Sequence, residues 1–304
     1  MTKKIAVIND LSGFGRCSLT AAISVISAMG IQACPLPTAI LTAQTGYPHY
    51  YLDDYTDKMD IYRQEWQKMG QHFDGIYTGF VASEAQIDQI FHFIDTFYTS
   101  DTFLLVDPVM GDDGIKYDMF TPKLLEKMNA LVGEADIITP NLTELCLLTD
   151  ADYDAIIDIA DTRILIDVIG ELAFTLLPPD SDNSNTLDSR QTSKKEKEII
   201  VTGIHCKNEH GQKMMGNLYV SKDTRKLFAF PHVGGSYSGT GDLFASCIAA
   251  GKCRGDGIPE LIQLSGTFLE QAIKDSAEEN VPYPDGTNYE KYLYMLIKNR
   301  VLTL

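Results

Sequence analysis

The sequence predicts an α/β fold, a central and mostly parallel sheet with helices on both faces. Three observations carry that prediction. Short apolar runs rich in β-branched residues recur, amphipathic helical patterns lie between them, and polar or glycine-rich segments follow the runs. The 304 residues are read as one domain, 1–304, since alternating α/β architectures often exceed the usual ~150 residues per domain.

The first strand is expected at 5–8, where an apolar run ends at Asn9-Asp10; the run is too short for a signal peptide. Leu19, Ile23 and Ile26, stopped by Gly30, mark a helix. A strand at 75–78 precedes a second helix, with Ile87, Ile90, Phe91 and Ile94 on one face and Ser83-x-x-Gln86 as a capping box. A strand at 103–106 is followed by a helix opened by Thr121-Pro122, where a proline at the first position loses no hydrogen bond. Further strands are expected at 137–139 and 199–202. Between these last two, 178–198 is polar, with Leu187 its only aliphatic residue, and is expected to be a mobile insertion that cannot build a core. Ligands in such sheets bind beyond the carboxyl ends of the strands. The segments 9–16, 107–114, 140–144 and 203–207 should therefore converge on one edge.

A formal charge of −17 without a local Lys/Arg cluster argues against a nucleic-acid partner. No stretch reaches the ~18 apolar residues of a membrane span, and a cytoplasmic protein is expected. Six cysteines without a C-x-x-C pair read as reduced, buried thiols. An acidic protein that handles a phosphorylated ligand must gather positive potential locally, from backbone N–H groups, helix N-termini or metal.

Three segments offer such chemistry. Gly234-Gly235-Ser236-Tyr237-Ser238-Gly239-Thr240-Gly241-Asp242 opens a helical run, so its N–H groups can cradle a phosphate; Asp242 could equally be a helix cap. It is neither a Walker loop nor a dinucleotide fingerprint. Asp107-Pro108-Val109-Met110-Gly111-Asp112-Asp113-Gly114 follows a strand, and its carboxylates could hold Mg²⁺ or simply form a solvated turn. In Thr139-Pro140-Asn141-Leu142-Thr143-Glu144, Asn141 and Glu144 have capping-box spacing, which does not separate a structural Glu144 from one that orders a magnesium water shell.

Taken in order with Thr45-Gly46-Tyr47 and Thr78-Gly79-Phe80, these segments resemble the ribokinase-like superfamily, specifically its pyridoxal kinase branch, over nearly the whole chain. The resemblance implies a kinase that uses ATP and Mg²⁺, with K⁺ as a frequent activator, and commonly a homodimer. It makes Asp242 the base and the amides of Gly239, Thr240, Gly241 and Asp242 the anion hole. Asp107, Asp112 and Glu144 would serve metal and phosphates, and Asn141, Thr202 and Val233 the ATP side. Thr45, Tyr47 and Phe80 would hold the acceptor ring, with Asp10 and Ser12 from the first loop.

Two departures stand out. Asn9-Asp10-Leu11-Ser12-Gly13 is closer to the Asp-Pro-Ser-Gly start of hydroxymethylpyrimidine kinases, where Asp10 could accept from a ring or cap the turn, and Gly203 stands where a second hydroxyl residue often follows Thr202. The leading expectation is a kinase of pyridoxal, pyridoxine or pyridoxamine in vitamin B6 salvage. A hydroxymethylpyrimidine kinase of thiamine synthesis and a non-catalytic vitamer-binding protein are the alternatives. A carboxylate at a helix N-terminus should be held as the anion, making Asp242 a weak base.

Overall fold

The computed structural model describes residues 2–179 and 195–297. In chain order its strands are β1 (Lys4–Ser12), β2 (Gln32–Leu41), β3 (Leu52–Asp54), β4 (Gly75–Thr78), β5 (Phe103–Val106), β6 (Gly111–Asp112), β7 (Ile115–Lys116), β8 (Ile137–Ile138), β9 (Glu198–Lys207), β10 (Lys213–Val220) and β11 (Arg225–Pro231). The helices are α1 (Ser18–Ala28), α2 (Thr56–Lys68), α3 (Glu84–Phe97), α4 (Pro122–Glu134), α5 (Leu142–Thr149), α6 (Tyr153–Ile157), α7 (Thr162–Phe174), α8 (Thr240–Arg254) and α9 (Ile258–Glu278).

The main sheet runs β11-β10-β9-β8-β5-β4-β1-β2-β3. Its interior pairings, β9-β8-β5-β4-β1-β2, are parallel, and antiparallel strands close both ends. The apolar runs are continuous because both faces are buried. In β1, Ala6 and Ile8 pack with α3, α4 and α5, while Ile5 and Val7 pack with α1, α8 and α9; β5 divides Leu104 and Val106 from Phe103 and Leu105 in the same way.

The helix signals hold at α1, α3 and α4, and Thr121 caps α4 as expected. The Ser83/Gln86 capping box forms only in half. Ser83 accepts from the Gln86 N–H, but the Gln86 side chain accepts from Ala82 and donates to the Thr38 carbonyl, tying α3 to β2. Two expected loops are strand. β1 continues through Ser12, and β9 continues through 203–207, because β2 and β10 remain alongside to take up their hydrogen bonds. β2 itself escapes a sequence reading through Pro35 and Pro37. They are tolerated where β3, which pairs only with 39–41, leaves that edge open.

The core of the expected insertion, 180–194, lies outside the described residues. Its C-terminal end is not loose: Lys197 is buried and donates to the Val132 carbonyl at 2.6 Å, and Glu198 opens β9. All six cysteines are free, and Cys34 alone is not buried. No helix among the described residues is long and apolar enough to cross a membrane.

Candidate active site

The site lies at the carboxyl edge of β1, β4, β5 and β8, where α8 begins. Gly239 caps α8 with φ of 82°, and a Cβ there would lie 2.1 Å from the Arg16 carbonyl oxygen, so the turn requires glycine. Thr240, Gly241 and Asp242 form the first helical turn, whose N–H groups have no intrahelical acceptor. A Cβ on Gly241 would meet nothing within 4 Å, so this turn faces open space that a ligand can enter.

Asn9 holds Asp242. Its Nδ2 donates to Asp242 Oδ1 at 3.0 Å, while its Oδ1 accepts from the backbone N–H groups of Asp10 and Phe80, each at 2.9 Å. The Thr78-Gly79-Phe80 motif thereby acquires a local reason, since a Cβ on Gly79 would lie 2.4 Å from Asn9 Nδ2. Burial pushes Asp242 up to about 6; the Ser18 backbone amide opposes this, the Asp10 charge adds to it, and Asn9 opposes it. Burial thus works against the expectation of a weak, helix-stabilised anion. Ser18 adopts φ of 51°, a left-handed conformation unusual for a serine.

Opposite stands an acidic wall. Asp107, just past β5, is buried and accepts from Thr139 Oγ1 at 2.8 Å; burial and the Asp242 charge raise its pKa. Glu144 is also buried. It accepts from the N–H groups of Asn141 at 2.7 Å and Met110 at 3.2 Å, and burial followed by the Asp107 charge raises it well above the usual range. Asn141 completes the capping box by accepting from the Glu144 N–H, and its Nδ2 donates to the Gly111 carbonyl at 2.9 Å. The helix cap thus also fixes the β6–β7 hairpin, on which Asp112 is exposed. Glu144 is a structural cap that also stands within electrostatic reach of Asp107 and Asp112.

No three His, Cys, Asp or Glu side chains among the described residues form a cage for a metal by themselves. Magnesium rarely needs one, since it keeps waters and is commonly held by one or two carboxylates plus phosphate oxygens. Buried Asp107 and Glu144, with no Lys or Arg ion pair among the described residues, suit that arrangement, and Asp112 stands exposed on the neighbouring hairpin.

The remaining expected residues divide. Thr202, in β9, is half-buried beside Asn141, its N–H donating to the Pro140 carbonyl at 2.9 Å; Val233 is half-buried beyond β11. Phe80 is half-buried next to Asn9. Thr45 is exposed, and Tyr47 is half-buried, edge-on to Phe14, with its hydroxyl donating to Asp285 Oδ1 at 2.5 Å. Asp10 is not a turn cap: it sits in β1, buried, accepting from Ser12 Oγ at 2.8 Å. Ser12 is fully buried and spends its hydroxyl there, so it supports Asp10 and lines no open surface.

Sequence reasoning quoted Asn9 and Thr139 within their segments but gave them no role, and passed over Tyr117 and Tyr283. Asn9 did carry a signal, a polar residue closing an apolar strand on the binding edge. Tyr117 and Tyr283 had none. Burial, followed by the charges of Asp112 and Glu144, raises the Tyr117 phenol, and burial, followed by those of Asp112 and Asp113, raises that of Tyr283.

A sequence profile of the phosphomethylpyrimidine kinase family matches residues 15–172 and 178–283. A Bacteroides thetaiotaomicron protein assigned as a phosphomethylpyrimidine kinase, and solved with pyridoxal, is 33% identical, with a TM-score of 0.82 over 97% of this chain and 96% of its own. Pyridoxal kinase from Lactobacillus plantarum is 24% identical with a TM-score of 0.78, over 97% of each chain, a likeness of fold. A Schizosaccharomyces pombe protein assigned as a pyridoxal kinase is 28% identical over 194 residues, 63% of this chain and only 50% of that protein's length.

Proposed function

Because the chain belongs to the phosphomethylpyrimidine kinase family, on a ribokinase-like fold, we propose that it transfers the γ-phosphoryl group of ATP to the hydroxymethyl group of a B6 vitamer: pyridoxal, pyridoxine or pyridoxamine. The observation that carries the proposal is Asp242 at the head of α8, with its pKa pushed up to about 6, beside open backbone N–H groups and facing Asp107.

In this reading Asp242 accepts the proton of the attacking hydroxyl, and Asn9 keeps its carboxylate aimed. A base poised near neutrality suits that task. The N–H groups of Thr240, Gly241 and Asp242 face the charge on the transferring group, in a reaction that depends mainly on positioning and charge stabilisation. Asp107 and Glu144 would hold magnesium, directly or through water, and it would supply charge neutralisation at the phosphates. Asn141, Thr202 and Val233 are assigned to the ATP side, and Thr45, Tyr47 and Phe80 to the acceptor. The homodimer belongs to the same proposal; exposed Phe14, Ile40, Tyr50 and Tyr51 around the β2–β3 edge offer apolar surface for it.

The vitamer is supported by the pyridoxal bound to the Bacteroides relative. A hydroxymethylpyrimidine kinase is the second reading, favoured by the family profile and by Asp10. A non-catalytic binder would have no use for a desolvated Asp242. ATP consumption with pyridoxal, pyridoxine, pyridoxamine and hydroxymethylpyrimidine tests these readings: the B6 vitamers should be turned over fastest. Preference for hydroxymethylpyrimidine would reverse the assignment, and no turnover with any acceptor would remove it.

A further inference from the structure

A short turn near the C-terminal end of the described chain, Tyr283–Asp285, ties together three loops of the site that are far apart in sequence. The Tyr283 carbonyl accepts from the N–H of Ser238, immediately before the Gly239 cap, at 3.2 Å. The Pro284 carbonyl accepts from Gln44 Nε2 at 3.0 Å, and Gln44 Oε1 accepts from the Gly46 N–H at 2.7 Å. The Asp285 carbonyl accepts from the Arg16 N–H at 3.1 Å, and the Asp285 carboxylate takes the Tyr47 hydroxyl. The fit is close on both flanks. A Cβ on Gly286 would lie 3.0 Å from the Arg16 carbonyl oxygen and 3.1 Å from that of Ser238, and one on Gly15 would lie 2.7 Å from Gln44 Cγ. Beyond the turn the chain is pinned to α9, where the Asn288 N–H donates to Ser276 Oγ at 2.8 Å. The anion-hole loop and the acceptor loop therefore share one support.

We propose that Asp285 is a positioning residue for the acceptor: through the Tyr47 hydroxyl it fixes the 45–47 loop at a set distance from the anion hole, which the same turn holds at Ser238. This rests on the kinase reading of the site. Of these four ties, only the Asp285–Tyr47 bond is made between two side chains, so it can be removed while the ties to Ser238, Gln44 and Arg16 stay. Its loss loosens the acceptor loop at Tyr47, where Gln44 still ties the loop to the turn, and leaves the phosphate loop held.

Steady-state kinetics on the full chain with Mg·ATP and pyridoxal test this, using Asp285→Ala, Asp285→Asn and Tyr47→Phe. Asp285→Ala and Tyr47→Phe should each raise the acceptor KM by roughly tenfold, the scale of one charge-assisted hydrogen bond, with the KM for ATP changing less than about twofold. The double variant Asp285→Ala/Tyr47→Phe should be no worse than either alone. Asp285→Asn retains an acceptor for the hydroxyl and should recover most of the loss. Equal effects on both KM values, additive losses, or an unchanged acceptor KM would each overturn the proposal. Should Asp285→Ala fail to fold, Tyr47→Phe and Asp285→Asn still decide it. Wild-type protein inactive with every hydroxymethyl acceptor would instead refute the kinase reading.

Discussion

At the scale of single residues, the site is a set of acids whose charges oppose one another. Asp107, Glu144 and Asp242 are all raised by burial, and Asp107 and Asp242 repel. Replacing Asp107 by Asn keeps an oxygen for the Thr139 hydroxyl and removes one charge. Asp107→Asn should therefore raise the melting temperature of the ligand-free protein at pH 8 while weakening the response to Mg²⁺, measured by thermal denaturation with and without the ion. A lower melting temperature would mean that the Asp107 charge is compensated. Asp242 predicts a second result. With its pKa near 6, the acid limb of kcat/KM should break well above 4, the ordinary carboxylate value. The residue roles were half legible in the sequence. Asp242 and Asp107 stand in motifs, but their basicity comes from burial by distant segments, and the tie from Asn9 spans 233 positions.

At the scale of elements, the glycines of the α8 entry do different work, and substitution separates them. Gly239→Ala places a Cβ against the Arg16 backbone in a left-handed residue, which costs at least ~1–2 kcal/mol and should lower the melting temperature. Gly241→Ala meets no protein atom and adds helix propensity of up to ~1 kcal/mol, so the fold should be as stable or more so. It should still lose most turnover, because the methyl group occupies the space where a γ-phosphate would approach. A Gly241→Ala enzyme with normal kinetics would show that the α8 turn does not meet the nucleotide. Strands with both faces buried, such as β4 and β5, were readable because their runs end at turns. The antiparallel β10 and β11, and the proline-bearing β2, were not, since their pairing partners rather than their own patterns define them. The capping box of α5 was visible as spacing, whereas its second task of holding the β6–β7 hairpin was not.

At the scale of the whole molecule, the charge of −17 and the buried acids point the same way. A carboxylate whose pKa is raised on folding stabilises the fold below its unfolded value and loses that contribution as pH rises through the folded value. For Asp242 the window runs from about 4 to about 6, with Asp107 adding in the same direction. The stabilisation given by Mg·ATP should accordingly grow as pH rises through that window, whereas a pH-independent gain would mean that these acids are not neutralised by the ligand. The order of motifs along the chain made the overall architecture legible, because each motif follows a strand and the strands share one edge. What it did not reveal is how the Tyr283–Asp285 turn closes the circle of loops. In the proposed reaction this edge aims Asp242 at an acceptor hydroxyl. Single-turnover formation of phosphorylated pyridoxal from Mg·ATP by Asp242→Asn, against wild type, tests it most directly. The rate should fall by ~10² to 10⁴ with substrate affinities little changed and the fold intact. An Asp242→Asn protein that binds Mg·ATP and transfers phosphate at the wild-type rate would mean that Asp242 is not the base and is only a helix cap.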